Sequence, residues 1–347
     1  MSGVSKAIVQ PLLNWYDAGH RDLPWRSEPA PYRVWVSEIM LQQTRVEAVR
    51  GYFSRWMNAL PDIPALAAAD EAVYTKLWEG LGYYSRVRNL HRAAVLLCEE
   101  YGGELPADYD RLLALPGVGE YTAGAVASIA FGLPVPAVDG NVLRVAARLD
   151  NDFTPITDAK FKKQTRERFA ALMPPDRSGD LNQSLMELGA TVCLPNGAPR
   201  CADCPIQHLC EGFHRGNAAV LPLRAAKKAR RVENRTVLLV RCGQLIGLRQ
   251  RPKKGLLAGL WELPSLDGHL SPDELRAALT EMGWSVRKLL SLRPAKHIFT
   301  HVEWHMNGVY VELDAPSPAL TFVTPAELRD AYALPSAFRS FVSVLED

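Results

Sequence analysis

Apolar residues recur at three- and four-residue spacing through Ala7–Tyr16, Tyr32–Ala48, Ala72–Leu81, Arg88–Tyr101 and Tyr121–Phe131, the period of helices that bury one face. Pro61, Pro64, Gly80–Gly82, Gly102–Gly103, Pro116–Gly117 and Pro134–Pro136 punctuate these runs at intervals that suit helices of about three or four turns. The chain up to Cys210 is therefore expected to be nearly all α-helical. Beyond a basic stretch the period changes to two. Thr236–Val240 and Leu245–Arg249 flank Cys242-Gly243-Gln244 as a hairpin, and His297–Trp304 with Gly308–Leu313 reads as a second strand pair. Ser271-Pro-Asp-Glu274 and Thr324-Pro-Ala-Glu327 are capping boxes that open short helices. The tail is thus an α+β domain.

A chain of 347 residues exceeds a comfortable single core. Three parts are expected: a helical domain over 1–215, a basic linker over 216–233, and a second domain over 234–347. Hydrophobic residues make up 48% and charged residues 22%, in the ordinary globular range and with no low-complexity tract that would suggest disorder. The net charge of +2 announces no nucleic-acid partner by itself. Locally, Leu221–Arg235 holds six basic residues against Glu233 alone, which reads first as a solvated linker and second as a phosphate-contacting strap. No apolar run is long enough to span a bilayer, and MSGVSKAIVQ carries no signal or lipidation pattern. A cytoplasmic monomer without a membrane partner is expected.

Four of the six cysteines, Cys193, Cys201, Cys204 and Cys210, fall within one short segment, whereas Cys98 and Cys242 stand alone as ordinary buried thiols. In a reducing compartment clustered thiols hold metal rather than disulfides, and on softness alone zinc and iron-sulfur fit equally.

Leu115-Pro-Gly117-Val-Gly119 runs directly into the helical Glu120–Ser128. Glycines at that spacing let backbone amides approach a phosphate, and the new helix adds its positive end. A plain helix-turn-helix corner is the structural alternative. Val138-Asp139-Gly140-Asn141 opens the next helix, where a carboxylate is expected to be held ionised by the dipole and free amides. An N-cap is the bland reading of that aspartate. Glu38 lies among Val34, Val36, Ile39 and Leu41, so burial is expected to raise its pKa into the range of a general acid.

The hairpin, the aspartate and the cysteine segment together resemble the helix-hairpin-helix DNA glycosylase superfamily. The gaps of seven, two and five residues between the cysteines are similar to the [4Fe-4S] loop of endonuclease III and adenine glycosylase, with one extra residue in the first gap, absorbed at Pro195-Asn-Gly197. The resemblance implies Cys193, Cys201, Cys204 and Cys210 as cluster ligands. Members that also cut the strand carry a lysine after the hairpin; here Tyr121 takes that position, which disfavours a Schiff-base lyase. Trp35-Val-Ser-Glu38-Ile-Met-Leu-Gln-Gln-Thr44 resembles the adenine glycosylase signature. That family implies Glu38 as the acid that protonates adenine N7 and Asp139 as the group facing the oxocarbenium sugar, with Tyr121 and Asn141 as neighbours that orient it. It further implies Trp25 and Arg26 as an adenine-pocket segment, Gln43, Thr44, Leu81 and Tyr83 as intercalating and partner-strand residues, and Gln183 at a base edge.

The tail resembles the Nudix-like module that adenine glycosylases carry. Arg249–Pro264 matches its core strand region, Pro272–Glu281 lacks the clustered glutamates of a magnesium-dependent hydrolase, and Phe299-Thr300-His301 resembles the loop that probes 8-oxoguanine. The resemblance implies a monofunctional, bacterial, nucleoid-associated enzyme whose partner is double-stranded DNA holding A:8-oxoguanine or A:G mispairs. The alternatives are an endonuclease III-like oxidised-pyrimidine glycosylase/lyase and a non-catalytic iron-sulfur DNA-binding protein.

Overall fold

The computed structural model describes residues 4–224 and 229–345, so Ala225–Lys228 of the basic segment lie outside the described residues. Two compact units form: Met1–Ala69 with Ser85–Ala226, and Asp70–Tyr84 with Lys227–Asp347.

The first unit is helical, as the three-and-four period predicts, but the run from Tyr32 to Ala48 is not one helix. Pro31–Leu41 and Val46–Ala59 are separate helices. Between them Gln43 adopts a left-handed φ of 59°. The guanidinium of buried Arg86 donates to the carbonyls of Ile39, Met40 and Gln42 at 2.8, 3.0 and 2.6 Å, so a positive charge closes the first helix where its carbonyls are unpaired. The apolar period continues through Val46 and Val49, which conceals the break. Further along, Val9–Gly19, Gly140–Leu149, Ala159–Ala170 and Ser178–Thr191 share one core built on Leu12, Val145, Phe161, Phe169, Leu185 and Leu188.

The second unit is a seven-stranded mixed sheet of β1 (Arg231–Cys242), β2 (Leu245–Gln250), β3 (Trp261–Glu262), β4 (Ser265–Asp267), β5 (Val286–Ile298), β6 (Val302–Leu313) and β7 (Thr321–Val323). The main path runs β3-β2-β1-β6-β5, with β4 against β1 and β7 against β2; β1 and β6 are parallel and the other pairs antiparallel. The expected hairpin is β1–β2. Its residues 236–240 are all buried rather than alternating, because Val237 and Leu239 pack with Phe338 and Phe341 on one face while Leu238 and Val240 pack with Leu275 and Leu279 on the other. Both capping boxes form, at Ser271 and Thr324.

The strand expected over His297–Trp304 is interrupted. β5 ends at Ile298 and β6 begins at Val302, and Phe299 N donates to Val302 O at 2.8 Å, so Phe299-Thr300-His301 forms the turn between them. The helix Glu71–Leu77 belongs with this unit, tied by Lys76 Nζ to Tyr332 O (3.0 Å) and by Leu334 N to Glu79 Oε1 (2.8 Å). No helix among the described residues is long and apolar enough to cross a membrane.

Candidate active site

The first unit holds a cavity of about 660 Å³. Trp25, Arg26, Glu38, Gln43, Thr44, Gly117, Gly119, Tyr121, Asp139, Asn141 and Gln183, read from the sequence as separate motifs, all line it.

The hairpin forms one rim. Gly117 takes φ +76°, and a Cβ there would stand 2.6 Å from Asn89 Cβ, so this turn admits only glycine. Gly119 follows as the N-cap of the Glu120–Phe131 helix; no side chain caps that end, and the space at its Cα is open. The free amides of this helix start are those an anion would use.

Asp139 caps the Gly140–Leu149 helix. Its Oδ1 accepts from Asn141 N and Val142 N, both at 2.8 Å, and its Oδ2 accepts from Asn141 Nδ2 at 2.6 Å. The N-cap reading and the site reading therefore describe the same carboxylate. The expectation that these donors dominate needs correction: burial outweighs them and raises Asp139 above the ordinary aspartate value. All three donors are N–H groups, so they still favour the oxygens as acceptors.

Glu38, on the Pro31–Leu41 helix, is 5% exposed. Burial pushes its carboxyl up to about 7 against the hydrogen bond from Tyr121, with nearby Asp139 raising it further and Arg26 opposing. The Tyr121 hydroxyl donates to Glu38 Oε2 at 2.5 Å and also meets Met186 Sδ at 3.2 Å. Thus Tyr121 fixes the carboxylate on the helix. A carboxyl that is half protonated near neutrality beside a second carboxylate is the pairing that general acid chemistry at a glycosidic bond requires.

Several residues that the sequence reading did not single out hold this wall. Arg144, 3% exposed, donates from Nη2 to Asn141 Oδ1 (2.8 Å) and Gly189 O (2.7 Å) and from Nε to Cys193 O (2.8 Å). Gly189 is close-packed: a Cβ there would lie 2.5 Å from Asn141 Cβ. Glu187, 2% exposed, binds Arg21 and Arg26. Helical spacing from Gln183 places Glu187 one turn along the same helix, the one signal that pointed to it.

Cys193, Cys201, Cys204 and Cys210 line a separate cavity of about 30 Å³ together with Arg148, whose Nη1 lies 3.1 Å from Cys193 Sγ. Among the described residues no group of three or more His, Cys, Asp or Glu side chains is arranged to hold a metal ion. Four thiols around one space, with a buried guanidinium beside them, is a donor set suited to an anionic thiolate cluster.

In the second unit Thr300 and His301 are exposed at the β5–β6 turn. The ring of Phe299 packs edge-on against His297 (4.6 Å) and Trp304 (4.9 Å). Tyr83, 45% exposed with φ +47°, meets Thr300 hydroxyl to hydroxyl at 2.9 Å, while Leu81 is 6% exposed. Glu262 is fully buried and paired to Arg249 and Arg251.

A hairpin-to-helix rim, an N-capping aspartate and a buried glutamate in one helical unit define a DNA glycosylase of the helix-hairpin-helix class, and residues 36–175 match the HhH-GPD superfamily of base excision DNA repair proteins. Residues 236–344 match the NUDIX domain. The chain is 36% identical to the adenine DNA glycosylase of Rattus norvegicus over 98% of its own length and 78% of that protein, and 41% identical to the adenine DNA glycosylase of Mycolicibacterium smegmatis over 66% of its length and 79% of that protein. It belongs to the adenine DNA glycosylase family. Among solved structures it resembles a thermostable thymine-DNA glycosylase (TM-score 0.54, 27% identity, 60% of this chain and 96% of that one). It also resembles endonuclease III in a trapped covalent DNA intermediate (TM-score 0.51, 25% identity, 61% and 98%).

Proposed function

We propose that this glycosylase excises adenine mispaired with 8-oxoguanine or guanine, and that it does so as a monofunctional enzyme without a Schiff base. The observation that carries this reading is the Glu38–Tyr121 hydrogen bond beside Asp139 in a cavity lined, among the described residues, by no lysine. An extruded adenine enters between Trp25, Arg26 and Gln183. Glu38 protonates N7, the base leaves with the glycosidic electron pair, and Asp139 faces the oxocarbenium carbon while Asn141 and the helix amides hold the carboxylate in place. Water then adds to the sugar carbon and its proton passes to a carboxylate. Attack by a lysine amine, the step a lyase needs, has no nucleophile in this cavity; Lys162 opens instead onto an adjoining one that Tyr121 and Asp139 also line.

The four cysteines would hold a [4Fe-4S] cluster, which when bound crosslinks the 193–210 segment. Cys193 O accepts from Arg144 and Cys193 Sγ meets Arg148, so this segment also supports the wall behind Asn141.

The second unit serves as a lesion reader rather than a hydrolase. On the Pro272–Glu281 helix the Glu274 carboxylate is occupied by the backbone and hydroxyl of Ser271, at 2.8 and 2.7 Å, and Glu262 is neutralised by two arginines. Neither is open to magnesium. Thr300 and His301, exposed at their turn, are the donors suited to the changed edge of an oxidised guanine.

His301→Ala is expected to lower the ratio of single-turnover rates on A:8-oxoguanine over A:G by about 5- to 50-fold, the worth of one or two hydrogen bonds. An unchanged ratio removes this turn from lesion recognition.

A further inference from the structure

The Ser178–Thr191 helix shows the cavity Gln183, Met186 and Ala190, at the three-and-four spacing of one face. Glu187 lies about 100° round the helix from Met186 but about 40° from Gln183, at the edge of that face. Its carboxylate is not part of the cavity surface, yet its acceptor capacity is taken up from that side. Oε1 accepts from Arg21 N at 3.2 Å and Arg21 Nε at 2.7 Å, and Oε2 accepts from Arg21 Nη2 at 2.9 Å and Arg26 Nη2 at 2.8 Å. Arg26 is fixed further by Nη1 to Arg21 O at 3.1 Å and by its guanidinium 5.6 Å over the Tyr16 ring. Both arginines line the cavity that Glu38 faces.

We propose that Glu187 is a positioning residue that binds the guanidinium groups of Arg21 and Arg26 at the cavity wall and so withholds the charge of Arg26 from Glu38. This rests on the reading of Glu38 as the proton donor. The geometry supplies the reason. A cation next to a buried carboxyl favours its ionised form, which cannot donate, and the same cation tied to a second carboxylate presents a much weaker field.

The groups that bear on Glu38 are Tyr121 from the Glu120–Phe131 helix, Asp139 at the start of the Gly140–Leu149 helix, and Arg26 from the loop before the Pro31–Leu41 helix; Arg26 is the one cation among them. Glu187 is itself ionised near neutrality: burial pushes it up, but Arg21 and Arg26 together hold it below the usual glutamate value. The site thus carries an adenine-contacting arginine without losing its acid.

Glu187→Gln keeps the size of the side chain and removes its charge. Measured as single-turnover excision against pH with enzyme in excess, the alkaline limb of this variant is expected to move to lower pH, with about tenfold rate loss above the wild-type midpoint for each unit moved and recovery of the wild-type rate on the acid side. Glu187→Asp retains the charge and should keep the wild-type midpoint. Arg26→Gln should move the limb the opposite way, which keeps the proposal testable if Glu187→Gln does not fold. A loss equal at every pH, or a limb unmoved in Glu187→Gln or in Arg26→Gln, overturns the proposal. Absence in the wild type of any limb that Glu38→Gln removes overturns the donor reading first, a result distinct from a limb that is present and unmoved.

Discussion

Asp139→Asn is expected to lower single-turnover excision of adenine by about 10³-fold or more while duplex binding stays within about twofold. Asparagine has the shape of aspartate, and an amide oxygen placed at the Oδ1 position still accepts from Asn141 N and Val142 N, so the helix start persists, while its Nδ2 loses the bond from Asn141 Nδ2. What disappears is the anion opposite the cationic sugar. Its loss falls on the transition state, because the ground-state sugar carries no charge there. Rates near the wild type would sink the mechanism, whereas a parallel loss of binding would show that Asp139 supports the DNA surface instead.

The second large effect is expected at Glu38. Glu38→Gln should slow excision by about 10² to 10⁴-fold, the range for removal of a general acid. Its pH signature follows from the direction of the shift. Burial raises the carboxyl to about 7, so the donor is present below that pH and is lost as pH rises through it. Wild-type excision should therefore fall on the alkaline side with a midpoint near 7, and the Gln variant should show a low rate without that limb. The substitution should not weaken the fold at neutral pH. A carboxyl raised from 4.5 to about 7 in the native state favours the unfolded chain as pH climbs between those values, and the amide removes that penalty. A wild-type profile flat through neutrality, or a Gln variant that retains the limb, would assign the proton to another group.

Much of this arrangement is legible in the sequence, and the misses have physical causes. Glu38, Asp139, Tyr121 and the Leu115–Gly119 hairpin carry chemistry in residue type and local order, so their convergence on one cavity follows from motifs that each specify a helix start or a buried face. Arg86, Arg144 and Glu187 were not legible because, apart from the Arg144 bond to Asn141 one helical turn away, their roles depend on partners 42 to 49 residues away for the two arginines and 161 to 166 residues away for the glutamate. No local period encodes such pairings. The break at Gln43 is hidden because the apolar stripe resumes in phase at Val46. The β5–β6 turn is hidden for a related reason: Phe299 packs against Trp304 and keeps the strand-like alternation going through three residues that are not strand. The parallel pairing of β1 with β6 joins residues about seventy positions apart and explains why residues 236–240 are buried on both faces. Asp139 shows the limit of local electrostatics, since the N-cap donors were evident from Gly140-Asn141 but the burial that outweighs them is a property of the folded cavity.

The central claim is that this glycosylase removes adenine and leaves the strand intact. End-labelled duplexes holding A:8-oxoguanine, A:G or thymine glycol:A, incubated with the purified protein and resolved before and after hot alkali, test it most directly. Breaks at adenine that appear only after alkali are the predicted result. Direct cutting without alkali, above all at thymine glycol, would contradict it.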